Sequence, residues 1–478
     1  MKALRIVYIL LFIGICFSLF ILMPFSKSDM DVEKREGTKF PKIKTEEGKL
    51  NMDYFDEMTD YFSDNFAFRQ ELATADAIWK SKLFKTSNNE KAVVGKNEWL
   101  YFNGSLNDYF GRDLLNEREI YASAKTISLM QEYAHSCGCE FVFTVAPNKN
   151  TLYPDNMPDN YLAAEGDTNI EHLRDELQVM KTDAGEEINY VDLQDAFLSK
   201  DEVLYHKWDS HWNNKGAVLA CDEILNSIGR EHYDYTNEPY TVEKCHSGDV
   251  WQLIYPSWDK KDENVIYQKQ HDYTYVNPVK SVEDMFIVTS TEGKDGAVVM
   301  FRDSFGNALL PYVADEYGKA TFIKGMPLNV RQVELTGATT LIYELVERNI
   351  PNLIAYLPIM TAPVRNLEDV QFIDAGENKT TAEYEDKGDQ IVIYGSVDPE
   401  FVETETDIYV RITDAGGNSV CYEATPGSYE PAEDGADLSY NYGAYINKAD
   451  LPSGSTAEII CEKNNEFYTT QIINIGYN

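Results

Sequence analysis

The sequence predicts an α/β protein, with a central parallel sheet flanked by helices, one apolar helix ahead of it and a β-sandwich behind it. Three observations carry this prediction. Helical and strand periodicities alternate from about residue 117 to about residue 345, a run of about twenty apolar residues stands near the N-terminus, and beyond about residue 380 short alternating strands replace the helical period. A chain of 478 residues exceeds one ordinary core, so two folded domains with appendages are expected. Its 43% hydrophobic and 13% aromatic content excludes a mainly disordered chain.

Residues 6–25 contain no charged side chain and are long enough to cross a hydrocarbon layer of roughly 30 Å. Lys2 and Arg5 precede this run, and Asp29, Asp31 and Glu33 follow it. The positive-inside bias therefore places the N-terminus in the cytoplasm and the bulk of the chain outside the cell. A cleaved signal peptide is the alternative, but Leu22-Met23-Pro24-Phe25-Ser26-Lys27 lacks the small-x-small pattern that cleavage prefers. Residues 1–26 are thus expected to be an uncleaved, single-pass signal anchor in the cell membrane, and the polar residues 27–48 a stalk.

The folded part opens with aromatic and aliphatic residues at helical spacing from Tyr54 to Phe84, a stripe expected to face a core. Val93-Val94-Gly95 and Trp99-Leu100-Tyr101-Phe102 then read as a hairpin around Lys96-Asn97-Glu98. Helices near 117–134 and 170–180 lead to strands at Phe141-Val142-Phe143-Thr144-Val145 and Tyr190-Val191, the rhythm of βα units. A third helix begins at Asn213 or Asn214, whose side chains can cap its open amides. Short antiparallel strands are inserted between about 240 and 290. Ala297-Val298-Val299-Met300-Phe301 fills a central strand and leads to a helix over 308–317, and Ala320-Thr321-Phe322-Ile323 and Thr340-Leu341-Ile342-Tyr343-Glu344 add two more strands. This places an α/β domain at 49–370 and a β-sandwich at 380–478.

Eighty acidic against 42 basic residues give a formal charge of −38, which excludes nucleic acid as a partner because phosphate binding needs a basic footprint. Seven cysteines are too few for a disulfide scaffold and show no metal-ligand spacing, so neither a metal nor a cofactor is expected. Cys137-Gly138-Cys139 reads as a buried or vicinal thiol pair. Cys421 and Cys461 are candidates for a disulfide outside the cell, a question of geometry.

The chemistry lies in Asp209-Ser210-His211-Trp212 and Arg302-Asp303-Ser304-Phe305-Gly306. In an extended loop, residues i and i+2 point the same way, so Asp209 can orient His211 and stabilise its cation. Ser304 falls where a buried strand gives way to a helix, exposed above the sheet with backbone amides directed at developing negative charge. The alternatives are a polar loop brace for Asp209–His211 and a helix cap for Ser304. Asn148 and Lys149, just past a strand end, sit on the carboxyl edge where ligands of open α/β sheets collect. Asn148 is either an oxyanion donor or a turn residue, and Lys149 either a ligand for a polar or anionic substrate or a solvated charge. Trp212 either stacks on a sugar or packs the loop.

These segments, with Val94 to Tyr101, Tyr153-Pro154, Tyr205 to Ala217 and Phe301 to Phe305, resemble the extracytoplasmic alginate O-acetylation proteins and their Gram-positive relatives named for a DHHW motif. The resemblance runs over about residues 35–365. It implies an SGNH-hydrolase-like fold in which Asp209, His211 and Ser304 form a catalytic triad in permuted order. It further implies an acetyl-serine intermediate, an exopolysaccharide acceptor and a membrane-bound O-acyltransferase as acetyl donor. Two departures stand out: Ser210 replaces a histidine of the motif, and Arg302 stands where SGNH enzymes have the glycine of Gly-Asp-Ser. The second leaves the oxyanion side open, with Arg302 as an alternative substrate contact. The C-terminal domain resembles the carbohydrate-binding modules of some members, and a spacer or interaction domain is the alternative. An acetylesterase using the same three residues and a non-catalytic glycan-binding scaffold are the competing functions.

Overall fold

The computed structural model describes residues 2–25, 38–45, 47–368, 370–376, 379–431, 437–452 and 454–476. Much of the expected stalk, at residues 27–37, lies outside the described residues. Helix α1 (Lys2–Ile21) begins earlier than the expected span and stops before Pro24, whose ring restricts the residue ahead of it. Only sixteen residues of the apolar run, 6–21, are therefore helical, which gives a rise of about 24 Å. Among the described residues no helix is long and apolar enough to cross a membrane.

The aromatic stripe expected to face a core does not do so. Helix α2 (Tyr54–Asn65) buries none of its residues, and α3 (Arg69–Phe84) buries only Thr74, Ala77 and Ser81. Phe68, Trp79 and Phe84 are 45%, 61% and 63% exposed. The pattern meets the helical period, but α3 turns its small residues inward onto Tyr255 and Ser257, which bond Ser81 and Thr74.

The hairpin β1 (Ala92–Val94) and β2 (Leu100–Phe102) forms as predicted, followed by the single turn α4 (Leu106–Tyr109). Helix α5 (Glu117–Ser136) starts at a reciprocal cap in which Asn116 and Glu119 satisfy each other's backbone amides. It returns the chain to β3 (Glu140–Ala146) and the turn α6 (Lys149–Leu152). Helix α7 (Asn169–Val179), capped by Thr168 and Glu171, leads to β4 (Tyr190–Val191) and α8 (Leu193–Leu198). Helix α9 (Asn214–Ser227) begins at Asn213, whose side chain accepts from the amides of Lys215 and Gly216.

The insertion consists of a hairpin, β5 (Tyr240–Ser247) with β6 (Lys261–Tyr267), and helix α10 (Asp249–Ile254) within its loop. Strand β8 (Phe286–Ser290) then joins the main sheet antiparallel to it, with β7 (Thr274–Tyr275) antiparallel to β8 at the edge, before β9 (Ala297–Arg302), α11 (Gly306–Ala314) and β10 (Lys319–Lys324). After α12 (Gln332–Thr336) comes β11 (Thr340–Val346), then α13 (Asn352–Ala355). The seven-stranded order is β4-β3-β11-β9-β10-β8-β7, with the first five strands parallel.

Alternation along these strands covers both faces. Phe141, Phe143, Val299 and Phe301 face one core with α5 and α7, while Val142, Met300 and Ile342 face the other with α9 and α11. The turns at the carboxyl ends of β3, β9 and β11 therefore converge on one edge.

Strands β12 (Val364–Arg365) and β13 (Phe372–Asp374) already belong to the C-terminal region, so its sheets begin earlier than residue 380. One sheet orders β12-β17-β16-β20-β21-β13, with β16 (Ile408–Thr413), β17 (Ser419–Glu423), β20 (Thr456–Lys463) and β21 (Glu466–Asn474). The other orders β14-β15-β19-β18, with β14 (Glu383–Asp386), β15 (Gln390–Ser396), β18 (Thr425–Pro426) and β19 (Asn441–Asn447). They share a core of Ile391, Ile393, Val410, Ile412, Ile446 and Ile459. Cys421 and Cys461 are both free thiols. Cys461 faces this shared core, whereas Cys421 lies on the other face of its sheet with Tyr409 and Ile460, so a disulfide between them would have to pass through the sheet.

The two regions meet on α5, where buried Arg118 donates to the carbonyls of Thr404, Thr406 and Ser439, and Lys125 pairs with Asp407 and Glu423. Replacing Arg118 by Met keeps the stem and orphans the three carbonyls. Stability is expected to fall by about 3 kcal/mol, read as a lower urea midpoint at unchanged slope.

Candidate active site

Three chain segments build the site at the carboxyl edge of the sheet. Residues 205–212 form a closed loop, with Tyr205 and Trp212 bridged across its base and the His206 amide donating to the His211 carbonyl at 3.1 Å. The turn from β9 into α11 carries Ser304, and the turn after β11 carries Glu347 and Arg348. Gly306 is needed where α11 starts, because a Cβ there would come 2.5 Å from Arg302 Cβ.

His211 Nε2 lies 2.8 Å from Ser304 Oγ, and His211 Nδ1 lies 2.6 Å from Asp209 Oδ1. Asp209, Ser210, His211 and Ser304 thus come together as the loop and turn readings required. Ser304 and His211 are half-buried, whereas Asp209 is 3% exposed. Burial alone would push the Asp209 carboxyl up, but the charge and hydrogen bonds of His211, and then of His246, hold it well below the usual carboxylate range. For His211, burial disfavours the cation, and the Asp209 charge outweighs it, so the imidazole is raised above its ordinary 6.5.

The insertion supplies residues that the sequence reading missed. His246 Nε2 reaches Asp209 Oδ2 at 2.8 Å, and the Asp249 amide donates to the same oxygen at 2.9 Å. Asp249 also accepts from the Ser210 amide and hydroxyl at 2.8 and 2.7 Å, while Asp262 accepts from the Trp208 amide at 2.9 Å. Gly248 admits this packing, since a Cβ would meet the Trp208 carbonyl oxygen at 2.3 Å. His206 stacks on His246 with centroids 3.6 Å apart and planes 2° from parallel. Burial, then the neighbouring His246, push His206 down to about 3, which keeps it neutral. The one available signal was His246-Ser247-Gly248-Asp249 itself, a histidine and an aspartate closely spaced in a chain with only seven histidines.

Four further candidates occupy structural positions. Lys149 is buried and donates to the carbonyls of Leu100, Lys207 and Asp209 at 2.7, 2.9 and 2.8 Å, so all three of its N–H groups are used inside the protein. Burial lowers it to about 7. Asn148 is 1% exposed, donates from Nδ2 to Asp108 at 2.9 Å, and accepts from Arg348 at 3.2 Å, so it braces the edge. Trp212 is 1% exposed, with Nε1 donating to the Phe305 carbonyl at 3.2 Å, which leaves packing as its role. Arg302 turns away from Ser304 to Asn307, the Asp303 carbonyl and the Val282 and Asp284 carbonyls between β7 and β8, so its guanidinium is not a substrate contact.

The cation that does face the site is Arg348, half-buried over the Phe305 ring at 5.6 Å and close enough that its charge opposes protonation of His211. Behind the turn, Asp303 accepts from the Phe305 and Val346 amides at 2.8 Å each, and its own amide donates to Glu344 at 3.1 Å. Burial, then Asp303, push Glu344 well above the usual range, and burial, then Asp108, do the same for Glu347. Among the described residues, Asp209, His211 and Asp249 bring ligand-type atoms within 4.8 Å of one another. These atoms are engaged in the hydrogen bonds that close the loop.

Part of this α/β domain is similar to known proteins. Residues 92–281 match the family described as the SGNH hydrolase-like domain of acetyltransferase AlgX. The chain is 25% identical over 234 residues to a probable alginate O-acetylase AlgJ of Pseudomonas syringae pv. tomato, over 48% of this chain and 54% of that protein. It thus spans about half the length of this curated relative. Solved structures with a similar course are a DHHW family protein of Eubacterium siraeum (TM-score 0.41, 15% identity, 55% of this chain and 96% of that one) and the O-acetyltransferase domain of Pseudomonas putida AlgJ (TM-score 0.37, 13% identity, 54% and 92%). Over residues 92–281 the chain is thus similar to the acetyltransferase domain of alginate O-acetylation proteins, in keeping with the resemblance read from its sequence.

Replacing Lys149 by Met orphans three buried carbonyls and is expected to cost about 3 kcal/mol of stability, measured by denaturant unfolding.

Proposed function

We propose that the protein is an O-acetyltransferase acting on a cell-surface or secreted polysaccharide, with Ser304 as nucleophile, His211 as proton shuttle and Asp209 as its orienting partner. The observation that carries this reading is the continuous hydrogen-bond chain Ser304–His211–Asp209, at 2.8 and 2.6 Å. The match of residues 92–281 to an acetyltransferase domain supports the choice of reaction.

In this mechanism Ser304 Oγ attacks the acetyl carbonyl of a donor as its proton passes to His211 Nε2. The donor's leaving group departs with that proton, leaving acetyl-Ser304. A sugar hydroxyl then gives its proton to His211 as its oxygen attacks the acetyl carbon, and Ser304 leaves and takes the proton back. Asp209 stabilises the imidazolium in both steps. In this reading Arg348, over the Phe305 ring, meets the negative charge that develops on the acetyl oxygen, a role the sequence had offered to Asn148. The exposed apolar side chains of α1 support attachment at a membrane, where a membrane-bound O-acyltransferase would supply the acetyl group.

The test offers the purified chain a small activated acetyl ester with and without an acceptor oligosaccharide. Acetyl transfer is expected, reduced at least about 10³-fold in Ser304→Ala and His211→Ala. Hydrolysis without transfer would make it an acetylesterase, and no reaction in the parent chain would favour a glycan-binding scaffold. Arg348→Gln is expected to lower kcat/KM about 10²-fold.

The pH profile has a definite sign. His211 must be neutral to accept the Ser304 proton, so kcat/KM should fall as pH drops through its raised pKa, with the acid limb above 6.5. Asp209→Asn should shift that limb to lower pH.

A further inference from the structure

The chain carries an aromatic, basic cleft that the chemistry above does not use. It has a volume of about 620 Å³ and lies between the C-terminal end of α3, the β1–β2 turn and the far side of α10. Its wall is a cluster of rings. Trp251 and Tyr255 are buried, and Trp258, 42% exposed, stands edge-on to both, with centroids at 5.2 and 5.8 Å. The Trp251 indole N–H donates to the Trp258 carbonyl at 2.7 Å, which fixes the exposed ring on a rigid base. Phe84, 63% exposed, lies on the opposite side. An exposed indole held by two other rings is a poor use of apolar surface unless something covers it.

The charges point to the occupant. In a chain of net charge −38, the carboxylates that line this cleft, Asp159 and Glu98, are paired with Lys96 and Lys260, whereas among the described residues the exposed Lys82 and Lys85 have no ion-pair partner. Three of the non-glycine residues with left-handed backbones, Lys85 (φ 56°), Asn97 (φ 52°) and Glu98 (φ 64°), also line it. Strained backbone of this kind persists where the surroundings hold it, and it concentrates at binding and catalytic sites. A flat aromatic platform beside unpaired ammonium groups matches a sugar face beside an anionic substituent.

We propose that this cleft binds an anionic oligosaccharide, with Trp258 stacking on a pyranose ring and Lys82 and Lys85 meeting its carboxylate or phosphate groups. The choice of a sugar rests on the polysaccharide-modifying reading above. The wall is shared with the site: α10 opens with Asp249, which holds Ser210, and the Trp251 amide two residues on donates to the Trp208 carbonyl at 3.0 Å. The cleft thus retains an acceptor chain on the helix that braces the Asp209 loop, and selects for its charge.

Calorimetric titration of the full chain with hexagalacturonate, a glycerol-phosphate hexamer and neutral cellohexaose tests this without relying on acetyl transfer. At least one anionic ligand should bind at least tenfold more tightly than cellohexaose and more weakly as salt is raised, and the two anionic ligands separate carboxylate from phosphate recognition. Trp258→Ala and the surface pair Lys82→Ser/Lys85→Ser should each weaken that binding tenfold or more, with melting curves confirming that the variants fold. Equal binding of neutral and anionic chains, no binding of any, or binding indifferent to both variants overturns the proposal. A chain that binds in this way but transfers no acetyl group overturns the reading of the active site and leaves this one standing.

Discussion

The site depends on the buried carboxylate of Asp209. Its Oδ1 accepts from the His211 ring and amide, and its Oδ2 accepts from the His246 ring and the Asp249 amide. A buried carboxylate without such donors would be protonated or would open the loop. With them, one side chain ties the loop that carries His211 to an insertion some forty residues further on. Lys149 holds the same residue from behind through its carbonyl. The orientation of the imidazole toward Ser304 follows from these contacts.

A chain so rich in acid must place carboxyls next to one another, and the interior shows how. Glu344 and Glu347 sit behind the Ser304 turn, fully buried, beside Asp303 and Asp108 respectively. Burial and these neighbours raise both well above the usual carboxylate range. The ionised carboxylate is kept for the position where a cation must be stabilised, at Asp209. At the junction with the C-terminal region, Lys125 and Arg365 both face Glu423, whose burial nonetheless raises it above the usual carboxylate range.

Much of this was legible from local pattern. The alternation of Phe141 to Val145 and of Ala297 to Phe301 identified strands covered on both faces, and Asn213 marked the start of α9. Asp209, His211 and Ser304 were legible because spacing and strand-to-turn position are properties of the sequence itself. His246 and Asp249 were not, since their contribution depends on how β5 and β6 pair, and pairing is a non-local property. The direction of the Arg302 side chain was hidden for the same reason: its partners at Val282 and Asp284 come from the connection between β7 and β8. Periodicity placed α2 and α3 correctly as helices but could not tell which face, if any, meets a core. Arg348, whose charge reaches His211, has no sequence signature beyond following a buried strand.

The strand order carries a consequence for how the molecule is made. β11 is the last strand of the sheet to be synthesised, yet it lies in the middle, hydrogen-bonded to β3 on one side and β9 on the other. Until residue 346 has emerged, two apolar strand edges stay open, and the halves carrying Lys149 and Ser304 have no common partner. The sheet edge that brings Ser304 beside the His211 loop is thus completed by a strand made after both of them.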